Sequence, residues 1–144
     1  MPDHKIANWA VQKLNQEYDK PFFLAVGFYR PHVPMYAPQE WFDLHPREKV
    51  ELPMVNDRDL EDLSSYARDL VTLQHVAPQH RWVKESGQWP HAVQSYLASV
   101  SLVDHCLGMI LDALEGRADA NHTIICLFSD HGFHLGAKHT PGKT

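Results

Sequence analysis

Near the end of the chain the apolar run TIICLF (123–128) stops abruptly at Ser129-Asp130-His131-Gly132. Asp130 offers carboxylate oxygens to a cation and His131 an imidazole nitrogen, while Gly132 gives the backbone freedom to aim both at one point. A second abrupt change follows FFLAVGF (22–28), where the chain turns into Tyr29-Arg30-Pro31-His32-Val33-Pro34. Here His32 places an imidazole in a proline-stiffened loop. Lys143, beyond Pro141 and Gly142, adds a lone cation. Each of these residues also has a plainer role open to it. Ser129 or Asp130 can cap a following helix, for which the tetrapeptide is as well suited as for metal binding. His32 reads equally as a surface histidine, and Lys143 as a solvated tail charge.

The elements that must carry these residues follow from hydrophobic period. From Asp3 to Tyr18, Ile6, Ala10 and Leu14, flanked by Ala7 and Val11, recur at helical spacing, with Asp3 available as an N-cap. Lys20-Pro21 ends that helix, and 22–28 reads as a strand buried on both faces. Five prolines make most of 30–56 irregular. Leu60, Leu63, Ala67, Leu70 and Val71 mark a second helix in polar surroundings. From Pro90 to about Gly116, Ala92, Tyr96, Val100, Val103, Leu107, Leu111 and Leu114 predict a long helix with proline in its first turn. The run 123–128 then predicts a second strand buried on both faces. Helix, strand, excursion, helix, strand is an α/β order, with a sheet held between helix layers. In such sheets ligands bind beyond the carboxyl ends of strands, where both candidate loops fall.

Composition narrows the function. The 144 residues are one domain's worth, and a formal net charge of −5 without a Lys/Arg block excludes a nucleic-acid surface. No apolar run reads as long enough for a membrane span, and MPDHKIANWA lacks the apolar stretch of a signal peptide. Cys106 and Cys126 read as buried thiols. Most of the eleven histidines are scattered, and His134 and His139 read as supporting or surface residues.

Three stretches, in order, resemble the sulfatases of the alkaline-phosphatase superfamily, and in particular the iduronate-2-sulfatase-like subgroup. PFFLAVGFYRPHVPMYAPQEWFDLHP (21–46) resembles the family's strand and proline-rich histidine loop. YLASVSLVDHCLGMILDALE (96–115) resembles its next helix, and TIICLFSDHGFHLGAKHTPGKT (123–144) its second metal-binding strand end with the lysine that follows. The resemblance implies helix-sheet-helix layers of alkaline-phosphatase/sulfatase type, incomplete in this chain. It also implies hydrolysis of a sulfate ester by a formylglycine made from Cys or Ser. By position, Asp130 and His131 match the pair that helps bind the divalent cation, usually calcium. His32 matches the histidine at the sulfate group or its leaving oxygen, and Lys143 the lysine on a sulfate oxygen. The implied partner is a sulfated small molecule or carbohydrate, and family members are often exported.

The family's Cys/Ser-x-Pro-x-Arg nucleophile stretch and paired aspartates are not in these residues. Cys106 precedes LGMIL and Cys126 precedes LFSDH, so neither is the formylglycine precursor. Two ligands fall short of the six to eight oxygens that calcium takes, and imidazole suits zinc, copper, iron or nickel better. The chain therefore reads as a partial catalytic domain, 1–144, lacking the segment with the nucleophile and the C-terminal part, and inactive alone. Ala137 stands where the family often has an acid, and Pro141 intrudes before Lys143. Two alternatives stand beside this reading. One is a phosphodiesterase or phosphonate hydrolase of the same superfamily; the other is a noncatalytic α/β module that binds an anion or a partner.

Overall fold

The computed structural model describes residues 1–56, 58–71 and 80–136. They divide into two compact units, one formed by Met1–Pro46 and Ser95–Cys126, the other by described residues between Arg47 and Gln94 and from Leu127 onward. Five α-helices are described: α1 (Pro2–Leu14), α2 (Gln39–Asp43), α3 (Ser65–Val71), α4 (His80–Glu85) and α5 (Trp89–Glu115).

The first unit is organised by α1 and the greater part of α5. Helix α1 buries one stripe, Asp3, Ala7, Ala10 and Leu14, at the spacing expected of a helix against a core. Asp3 is not its N-cap: Met1 holds that position, and Pro2 takes the first turn, where a missing N–H costs nothing. Instead the buried Asp3 Oδ1 accepts a hydrogen bond from the Tyr29 N–H at 2.6 Å, tying the end of segment 22–28 to α1. The helix stops at Leu14, short of Tyr18, and Arg117 serves its last carbonyls. The guanidinium donates to Leu14 O and, at 2.9 Å, to Gln16 O, grips both Asp119 oxygens, and lies over the Tyr18 and Phe22 rings.

Helix α5 begins and ends within a residue of its sequence-predicted bounds, but its buried stripe differs. Ala98, Leu102 and Cys106, at i, i+4 and i+8, are buried, whereas Val100 and Leu111 are exposed. Leu102 and Cys106 meet Ala7 in the core cluster, against which Phe28, Ala37, Trp41, Met109 and Ile110 pack. By length and composition alone α5 is apolar enough to cross a membrane, which corrects the sequence expectation that no run is. The first unit nevertheless uses it as a core helix.

Neither 22–28 nor 123–128 pairs into a strand among the described residues. In 22–28 half-buried and exposed residues alternate strictly, the period of an extended chain with one face on a helix layer. Phe28 joins the core while Phe23 is 94% exposed. Residues 124–130 are exposed throughout, Ile124 to 90% and Phe128 to 88%, so burial on both faces is not met. A ladder needs backbone partners on either side, and sequence patterning within one segment does not supply them. Cys126 is accordingly exposed, contrary to expectation; Cys106 is buried.

In the second unit the predicted helix over 60–71 shortens to α3. Residues 58–63 form turns, and the Ser64 hydroxyl accepts the Ala67 N–H at 3.2 Å, which makes Ser64 the cap. Helix α4, unforeseen from the sequence, closes at Gly87, whose φ of 68° lets the Gly87 and Gln88 amides turn back onto Lys84 O and Val83 O.

Candidate active site

His32 lies in the first unit, in a loop that fastens itself. Tyr29 O accepts the His32 N–H at 3.0 Å, closing a turn around Arg30-Pro31. The imidazole packs against the Tyr29 ring, tilted by 31° with centroids 4.6 Å apart. Its Nδ1 lies 2.6 Å from Val33 O, which also accepts the Tyr29 hydroxyl at 3.3 Å. A carbonyl only accepts, so Nδ1 carries the proton and Nε2 is left as the imidazole's outward-working nitrogen. Arg30 supplies the rest of the frame: Nε donates to Tyr36 O at 2.9 Å and Nη1 to His32 O at 3.3 Å. Nothing in the apolar pattern or the proline count pointed to Arg30.

Asp130 and His131 lie in the second unit and are brought together. Asp130 Oδ1 accepts the His131 N–H at 3.0 Å, and Oδ2 stands 3.4 Å from His131 Nε2. The Ser129 hydroxyl donates to His131 O at 2.8 Å, and His131 Nδ1 approaches Gly132 O at 3.4 Å. Residues 131–136 form a single bridge at Phe133 and a turn, so no helix begins there for Ser129 or Asp130 to cap. With Nδ1 facing a carbonyl, Nε2 of the neutral ring presents a lone pair to a carboxylate oxygen. In the other tautomer Nε2–H faces the same oxygen as a donor.

The separation of the pair is one that two ligands of a single cation can have. Ligands at 2.3–2.6 Å from a calcium-sized ion and at right angles to each other stand about 3.3–3.7 Å apart, which brackets the Asp130–His131 separation. The Asp130 side chain is 84% exposed, open to further coordination. No group of three or more His, Cys, Asp or Glu side chains suited to a metal occurs among the described residues, so these two are a partial set. Lys143 and His139 lie outside the described residues; His134 is described and half-buried.

The glycine that shapes this segment is Gly136 rather than Gly132. Gly132 has open space around its missing Cβ. Gly136, at φ 133°, would place a Cβ 3.0 Å from His80 Cε1, 3.1 Å from Trp89 Cζ2 and 3.3 Å from Val55 Cγ2. Beside it Leu135 sits at φ 53°, and its carbonyl accepts the Trp89 indole N–H at 3.0 Å. The turn after the candidate ligands is thus clamped onto the first turn of α5. A cavity in the first unit, lined by His4, Glu40, Trp41, Leu102 and His105 among others, involves none of the sequence-predicted residues.

Cys106 lacks the surroundings of a nucleophile. Burial, then the nearby Asp3 carboxylate, push the Cys106 thiol above its ordinary value, so it stays protonated.

The family model described as Sulfatase matches residues 1–144. A Formosa agariphila protein named Sulfatase is 47% identical over 143 residues, covering 99% of this chain and 28% of its own length. The human Iduronate 2-sulfatase is 32% identical over 154 residues, with coverages of 94% and 26%. An Arylsulfatase of Clostridium perfringens is 29% identical over 135 residues, with coverages of 90% and 27%. The chain spans about a quarter of the length of these curated relatives. No solved structure matches it significantly.

Proposed function

Since the chain belongs to the sulfatase family, we propose that it serves in hydrolysing sulfate esters. It does so as one segment of a catalytic domain whose nucleophile and remaining metal ligands lie outside residues 1–144. The observation that carries this reading is the family match over every residue, 1–144, including both candidate loops. In the same reading 22–28 and 123–128 are strands of a sheet between helix layers. The half-buried alternation of 22–28 and the bare faces of 124–128 are what such strands look like before their neighbours are added.

The roles divide by chemistry. His32, its Nδ1 proton committed to Val33 O, acts through Nε2. As imidazolium it donates the Nε2 proton to the departing alkoxide and is left as the neutral Nδ1–H ring. Lys143 neutralises charge that grows on a sulfuryl oxygen. Asp130 and His131 hold a divalent cation, calcium by family resemblance, together with ligands from the rest of the domain. When bound, that ion supplies fixed positive charge to the sulfate. The substrate is a sulfated small molecule or carbohydrate.

The test is turnover of an aryl sulfate by the complete polypeptide. Asp130→Asn and Lys143→Ala are each expected to lower it at least about tenfold, since each removes charge stabilisation from the transition state. Unchanged turnover in either variant removes that residue from the site. An aryl phosphate or phosphonate hydrolysed faster than the sulfate would assign the other chemistry of the superfamily.

A further inference from the structure

Outside the proposed machinery, Arg30 is the charged side chain whose contacts gather on the loop that carries His32. Its guanidinium donates to two main-chain carbonyls of one loop, Tyr36 O from Nε at 2.9 Å and His32 O from Nη1 at 3.3 Å. It also lies over two rings of that loop, 5.2 Å from the Tyr29 centroid and 6.0 Å from that of Tyr36. These four contacts join the loop's first residue, its middle and its end. The imidazole belongs to the same loop, with Tyr29 tilted against it and Val33 O at hydrogen-bond distance from its Nδ1.

We infer that Arg30 is a positioning residue for His32: by pinning the carbonyls of His32 and Tyr36 it holds loop 29–36 in the shape that commits Nδ1–H to Val33 O and reserves Nε2 for the reaction. The physical reason lies in the fork. A planar guanidinium donates in two fixed directions while its face rests on aromatic rings, so one side chain sets both the spacing and the orientation of the loop. Without it the two carbonyls turn to water, the loop opens, and the imidazole is free to choose its tautomer. The catalytic half of this inference rests on the role proposed for His32, whereas the tautomer half stands on geometry alone.

Two measurements separate those halves. The first is the His32 ring tautomer, read from its two ¹⁵N shifts by NMR in the full chain. The unmodified protein is expected to show the Nδ1–H form. Arg30→Ala is expected to shift it toward the Nε2–H form, and Arg30→Lys partway, because one ammonium cannot reproduce the fork. Arg30→Lys keeps the charge and the stem, which guards against a variant that merely fails to fold. An unchanged tautomer in both variants would overturn the inference.

The second is aryl sulfate turnover by the complete polypeptide. Arg30→Ala is expected to lower kcat about tenfold with KM within about twofold, and to cost nothing further once His32→Ala is present, since the two then act as one unit. A rise in KM at constant kcat would make Arg30 a substrate contact, and losses that add in the double variant would make it independent of His32. Either result overturns the inference. If His32→Ala alone leaves turnover unchanged, the proposed role of His32 fails, and the tautomer measurement still decides what Arg30 holds.

Discussion

Replacing Gly136 by alanine should destabilise the fold by roughly 2–6 kcal/mol, while the same change at Gly132 should be almost silent. The contrast comes from two separable effects. At φ 133° the Gly136 backbone lies where side chains rarely go, and holding another residue there costs about 1–3 kcal/mol. The added Cβ would also meet His80, Trp89 and Val55 at 3.0–3.3 Å. Two of those neighbours are rings packed edge to face with centroids 4.9 Å apart, and His80 is buried. They have little room to yield, and overpacking of this kind costs a further 1–3 kcal/mol, approximately. Gly132 has neither the backbone constraint nor a neighbour within 4 Å. The assay is urea denaturation of both variants, followed by tryptophan fluorescence and circular dichroism. Because the same turn follows Asp130 and His131 directly, Gly136→Ala should also weaken the cation binding proposed for that pair, measured with calcium by titration calorimetry on the complete polypeptide. A Gly136 variant within about 0.5 kcal/mol of the parent, or a Gly132 variant as damaged as it, would refute the clamp described for this turn.

Two further outcomes follow from charge and burial. The Arg117 guanidinium, hydrogen-bonded to both Asp119 oxygens, holds that carboxyl below its ordinary range. The folded state therefore binds the Asp119 proton less readily than the unfolded chain. The contribution is fully present above the unfolded value, about 4, and is lost as pH falls through the lower folded value. Asp119→Asn should accordingly flatten the loss of stability seen on acidification below about pH 4, measured by denaturation across that window. The Cys106 thiol, raised by burial and by Asp3, should resist iodoacetamide at about pH 8 in the folded protein and react after unfolding. Equal rates in the two states would contradict the burial described for α5.

How far the sequence carried this picture depends on whether a feature is local. The long periods of α1 and α5 were legible because each helix satisfies its own hydrogen bonds. Their buried faces were less so. In α5 apolar residues occur nearly all round, and only the contact of Leu102 and Cys106 with Ala7 decides which stripe is inside. Asp3 looked like a cap because aspartate at a helix start usually is one, and its partner, the Tyr29 N–H, lies 26 residues away. The runs 22–28 and 123–128 were recognisable as strand-like, yet a ladder is a property of two chains of backbone. At the candidate site, residue types after an apolar run made Asp130, His131 and His32 candidates, and only the family resemblance gave them roles. The tautomer of His32, the hold of Arg30 and the demand for glycine at 136 were not legible, because each depends on where carbonyls and rings several residues away come to rest.

The bare faces of Phe23, Ile124 and Phe128 bear on how residues 1–144 behave by themselves. Extended, uncharged stretches with idle amides and carbonyls are self-complementary, and neither FFLAVGF nor TIICLF holds a charge or a proline. Copies of the isolated chain are expected to recruit one another through these two stretches, which the rest of a catalytic domain would cover.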